Sequence, residues 1–95
     1  MATPCSLRIK ISPLRPIRTH LDFRIETVRD GVAQLTIFLR QNDARVERLL
    51  RQAKFLRQDI EFSYAISSTT IIAKVLTIDG DRAVLEIKSQ HHEHL

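Results

Sequence analysis

Six stretches of the chain alternate apolar and polar positions with the period-two rhythm of half-buried strands. They are LRIKI (7–11), LDFRIETV (21–28), VAQLTIFLR (32–40), IEFSYAI (60–66), TIIAKVLTI (70–78) and RAVLEIK (82–88). One stretch, from Asp43 to Gln58, instead repeats its apolar residues with helical spacing: Val46, Leu49, Leu50, Ala53, Leu56 and, beyond it, Ile60 form one stripe. Asn42 or Asp43 can cap that helix, Asp43 and Glu47 complement the positive end of its dipole, and Arg57 complements the negative end.

The two glycines, Gly31 and Gly80, each follow an aspartate between two alternating runs, a strong hairpin signal. For the first hairpin, a three-residue loop Arg29-Asp30-Gly31 opposes Leu21 to Leu39, Phe23 to Ile37, Ile25 to Leu35 and Thr27 to Ala33, so every apolar residue faces one side. A two-residue loop would set Arg24 against Ile37 and Glu26 against Leu35, mixing charge into that face. For the second, a loop of two or four residues places Ile72, Leu76 and Ile78 on one face with Ala83, Leu85 and Ile87, whereas three would regroup them.

The fold class that follows is α+β: one helix packed on or wrapped by an antiparallel sheet of about five to six strands, in the order β-ββ-α-β-ββ. Six strands laid flat span roughly 29 Å, against about 10 Å for a helix with its side chains. Either the sheet curls around the helix or a second copy covers what remains, so a homodimer is expected. The chain reads as a single small domain with a flexible N-terminus at 1–6 and a C-terminal tail at 89–95.

Composition narrows the class further. With 43% hydrophobic and 27% charged residues the chain is an ordinary globular one, and no apolar run approaches the roughly 18 residues of a helical membrane span. The single cysteine, Cys5, forms no metal knuckle or disulfide framework and points to a reducing, cytoplasmic setting. The net charge of +4 is concentrated at one end: residues 1–21 hold Arg8, Lys10, Arg15 and Arg18 and no acid, and the remaining bases and acids balance. An acid-free start can mark a transit peptide, but LRIKI alternates as a strand does.

Chemistry-bearing motifs are few. Neither a nucleophile elbow, a zinc-protease signature nor a phosphate loop is present, so no enzyme and no cofactor is implied. His20 beside Asp22 is the sole acid/base pair on offer, and Cys5 reads as an incidental thiol. The tail residues His91, His92, Glu93 and His94 are metal-competent but lack the support of a fixed scaffold. PLRP (13–16) reads as a linker with the form of a PxxP ligand, and Ser67 to Thr69 as a polar turn.

Two functional expectations remain. The first is a non-enzymatic protein-binding or regulatory module that meets its partner through Arg48, Arg51, Gln52 and Phe55. Phe55 draws attention because it points about 150° away from the apolar stripe, among arginines. It is either covered by curled sheet or an interface anchor. The alternative is a basic nucleic-acid-binding protein using Arg8, Lys10, Arg45, Arg48, Arg51 and Lys54 along a phosphate backbone.

Overall fold

The computed structural model describes residues 2–11, 14–27, 30–64 and 66–92. Its strands are β1 (Ala2–Ile9), β2 (Ile17–Thr27), β3 (Ala33–Phe38), β4 (Ile60–Tyr64), β5 (Thr69–Asp79) and β6 (Arg82–His92). A 3-10 turn (Leu39–Gln41) and the helix α1 (Ala44–Leu56) join β3 to β4.

The sheet is neither open nor wrapped around the helix. It closes on itself as an antiparallel barrel in the order β1-β2-β3-β6-β5-β4. Two three-stranded meanders are sealed where β3 pairs with β6, Leu35 opposite Leu85, and where β1 pairs with β4, Leu7 opposite Phe62. The expected α+β arrangement is thereby corrected, for a physical reason: closure gives both edge strands a partner and turns the apolar faces toward one another. Leu7, Leu21, Leu35, Ile37, Phe62, Ile71 and Leu85 meet inside, fully buried or nearly so. Val46, Leu50 and Ala53 of α1 belong to the same cluster. The apolar face that an open sheet would have presented lies inside the barrel.

The first hairpin pairs Phe23 with Ile37, Ile25 with Leu35 and Thr27 with Ala33. Gly31 takes the left-handed φ of 76° its turn needs. Arg29 of the expected loop, and Val28 at the end of the run before it, lie outside the described residues. Leu21 and Leu39 are not opposed, because β3 ends at Phe38. Asn42 takes over at that point: its Oδ1 accepts from the Asp22 amide at 2.7 Å, and its Nδ2 donates to the carbonyls of Asp22 at 3.0 Å and Phe38 at 2.8 Å. A side-chain amide thus stands in for the next rung of the ladder, and the helix cap falls to Asp43 alone, which accepts from the Arg45 amide.

The second hairpin turns at Gly80 and Asp81, with Asp79 opposite Arg82. Gly80 has a φ of 59° and its successor does not share the positive sign, the pattern of a turn with glycine first. Breaks in register lie between Ile72 and Ala73 and between Val75 and Thr77. They split the expected face: Ile78 packs against the core as expected, but before the break at Leu76 it is Ile71, Ala73 and Val75 that are buried, with Ile72 and Leu76 half-buried. The extra residue at Leu76 undoes a period-two argument because it shifts the alternation of β5 by one residue; the other break, at Lys88, lies in β6.

The ends of the chain also differ from expectation. The supposed flexible start is β1 itself, held between β2 and β4 with Cys5 buried, and β6 carries the presumed tail as strand to His92. β4 stops at Tyr64, and Ile66 is exposed in the following turn.

Candidate binding face

α1 positions the first group of candidate residues. Asp43 caps it and also binds the Arg45 side chain, with Oδ2 2.9 Å from Nη2. These hydrogen bonds to Arg45 hold the Asp43 carboxyl below its usual range and raise the Arg45 guanidinium. Glu47 holds Arg51 one turn on, at 3.1 Å. Along the helix, Arg48, Gln52 and Phe55 follow one another at spacings of four and three residues, which places them on one ridge. Phe55 is 85% exposed, so neither curled sheet nor the N-terminal strand covers it. Leu56, expected in the buried stripe, is 46% exposed beside it.

Between α1, the end of β1 and the connector before β2 lies a cavity of about 210 Å3. Its floor is apolar, from Ile9, Leu14, Ile17 and Leu49, and four guanidinium-bearing side chains line it: Arg8, Arg15, Arg45 and Arg48. Gln52, three residues before Phe55 on the helix, lines it as well. The strand alternation of β1 explains why Ile9 turns toward the core while Arg8 faces α1 and the connector. Arg8 Nη2 donates to the Lys10 carbonyl at 3.2 Å, and its Nε is buried without a hydrogen-bond partner. Three of the six residues of the nucleic-acid expectation, Arg8, Arg45 and Arg48, are therefore brought together. Lys10, Arg51 and Lys54 do not line this cavity. Lys54 lines another on the far flank of the helix, about 470 Å3, with Arg57, Lys74 and Lys88. There Asp59 binds Lys88 at 3.2 Å.

Arg15 also lines this cavity, and no motif in the sequence marks it. It sits in a segment taken as a linker; the acid-free charge of residues 1–21 was the available signal. Pro13, the first proline of the PxxP form, lies outside the described residues.

The other candidates gather nothing comparable. His20 lines a third cleft, about 740 Å3, at the rim where β1 and β4 part, among Ser6, Thr19, Ser63 and Thr70; Asp22 does not line it. Burial pushes the Cys5 thiol up to about 11, against the weaker lowering effect of the Tyr64 hydroxyl and the Ser63 backbone. It therefore stays protonated near neutral pH. Tyr64, stacked on Phe23 at 5.4 Å between ring centres, is raised by burial too. His92 Nδ1 sits 2.8 Å from the Thr69 hydroxyl. Glu93 and His94 of the metal-competent tail lie outside the described residues, and among the described residues no group of three metal-competent side chains converges.

Among the described residues, no helix is long and apolar enough to cross a membrane. No protein-family model, no curated protein and no solved structure matches the chain.

Proposed function

We propose that the protein is a non-enzymatic binding module whose α1 face captures an acidic, apolar-bearing segment of a partner protein. One observation carries this reading: an arginine-lined cavity whose lining includes the exposed Leu14 ends along α1 at Gln52, and the exposed Phe55 and Leu56 follow one helical turn further on. Arginine interleaved with aromatic and aliphatic anchors is the composition of a protein interface core rather than of a plain solvated surface. The charge calls for an acidic partner. A second copy of the chain is a poor occupant, since a twofold pairing through this face would set its arginines against themselves. A reducing, cytoplasmic setting suits a lone, unpaired thiol buried at Cys5.

The nucleic-acid reading keeps one observation in its favour, the approach of Arg8, Arg45 and Arg48 around a single volume with Lys54 and Arg57 on the opposite flank. Aliphatic anchors decide against it, because Leu14 and Leu56 offer a base no stacking surface. Fluorescence anisotropy separates the two. A labelled peptide of alternating glutamate and leucine should bind and lose affinity with Phe55→Ala. Single-stranded oligonucleotide binding that falls steeply with salt, with no peptide binding, would reverse the choice.

A further inference from the structure

The cavity beside α1 gathers more positive charge than a carboxylate side chain needs. Of the four arginines around its 210 Å3, Arg45 is shared with Asp43 at 2.9 Å. Among the described residues no ion pair engages Arg8, Arg15 or Arg48. Arg8 spends one nitrogen on the Lys10 carbonyl and keeps a buried Nε with no acceptor. A single guanidinium fork already matches the one negative charge of a carboxylate. Three guanidinium groups without an ion pair among the described residues, around one small volume, suit a group with higher charge and more acceptor oxygens.

A phosphate monoester has both: a charge near minus two at neutral pH and three strong acceptor oxygens. The apolar side chains of Ile9, Leu14, Ile17 and Leu49 offer the ester's carbon stem a surface to pack on. Arg8 and Arg15 come from β1 and the connector, and Arg45 and Arg48 from α1. The four arginines thus come from separate elements around one volume, an arrangement that suits a group with several acceptor oxygens.

We propose that this pocket reads a phosphate monoester, carried as phosphoserine or phosphothreonine on the partner's acidic segment; the proposal rests on the partner-binding reading of the same face. Binding is thereby conditional on phosphorylation of the partner, with Phe55 and Leu56 holding the flanking apolar residues.

The test uses the full 95-residue chain and acetylated peptides of alternating glutamate and leucine, with phosphoserine, glutamate or serine at the centre, followed by calorimetry and amide chemical-shift mapping. The phosphoserine peptide is expected to bind about tenfold or more tightly than the glutamate peptide, the equivalent of one further charge-assisted hydrogen bond. Shifts should centre on Arg8, Arg45, Arg48 and Leu49. Arg15→Gln and Arg48→Gln, both at exposed positions, should each remove that preference while the melting curve stays in place. Equal affinity for the phosphoserine and glutamate peptides overturns the phosphate proposal and leaves the acidic-partner reading standing. Adenosine monophosphate or inorganic phosphate binding as tightly as the phosphopeptide overturns the assignment to a partner side chain. A phosphopeptide preference untouched by Phe55→Ala and Leu56→Ala together keeps the phosphate pocket and overturns the extended partner face. No binding by any peptide overturns both.

Discussion

Replacing Asn42 by alanine should unfold this protein more easily than any surface substitution of similar size. The Asn42 amide makes three hydrogen bonds, at 2.7, 3.0 and 2.8 Å, to the backbone of Asp22 and Phe38. All three are partly buried, and together they tie β2 to the end of β3. A net contribution near 1 kcal/mol per bond, and the cost of leaving partly buried backbone groups without partners, put the loss at about 2–3 kcal/mol. For a domain of this size that corresponds to a fall in Tm of roughly 10–20 °C. Asn42→Asp should lose at least as much, because one nitrogen donor becomes a second oxygen facing two carbonyls. Thermal melts followed by circular dichroism, with urea titrations to show an unchanged m-value, measure the effect. A loss below about 0.5 kcal/mol for Asn42→Ala, the range of an ordinary surface change, would refute the claim that this side chain replaces a rung of the ladder.

Further substitutions test the remaining assignments. Phe55→Ala should leave stability within about 0.5 kcal/mol of the parent in chemical denaturation, because the ring is 85% exposed; a larger loss would mean that it is packed. Leu50→Ala should cost about 2–5 kcal/mol, since that side chain is wholly buried in the shared core, and denaturant midpoints would show it. Gly80→Ala meets no neighbouring atom within 4 Å, so its cost is backbone strain alone, of order 1–3 kcal/mol, read from the same titrations. The buried thiol makes stability fall at alkaline pH. The pKa of Cys5 rises from 9.0 to about 11, so between those values the folded state binds the proton that the unfolded state has lost. Its stabilising contribution is full below about pH 9 and gone above about pH 11, and Tyr64, raised by burial, acts in the same direction. Tm measured from pH 8 to 11 should decline less steeply in Cys5→Ala than in the parent.

Local pattern carried much of the secondary structure. The alternation of Leu35 with Ile37 and of Ile60 with Phe62 marks strands whose inward residues are buried, and the spacing of Val46, Leu50 and Ala53 marks the helix. Aspartate-glycine pairs marked both turns. The candidate site was legible in pieces: Arg45, Arg48 and Gln52 from the helix and Arg8 from β1 were all singled out, and the structure sets them around one cavity. Arg15 was not, since nothing in the run from Pro13 to Pro16 says what it will fold against. Leu56 was assigned to the core because its spacing fits the stripe. α1 ends at that residue, and Arg57 takes a left-handed conformation that turns the chain away.

What the amino-acid sequence determined by itself was therefore whatever depends on neighbours within a few residues: which segments extend, which one coils, where the turns fall, and that positive charge gathers at the N-terminal end. Tertiary structure decided the rest. Whether β1 meets β4 and β3 meets β6 is a choice between partners far apart in the chain, and the same period-two alternation serves an open sheet and a closed barrel equally well. The bulge at Leu76, which puts Ile71, Ala73 and Val75 inside together with Ile78, belongs to the pairing of β5 with β6, which no local run encodes. The arginine pocket follows from the same step: Arg8 belongs to a strand, Arg15 to a connector and Arg48 to a helix, and they become one site because the fold sets those three elements side by side.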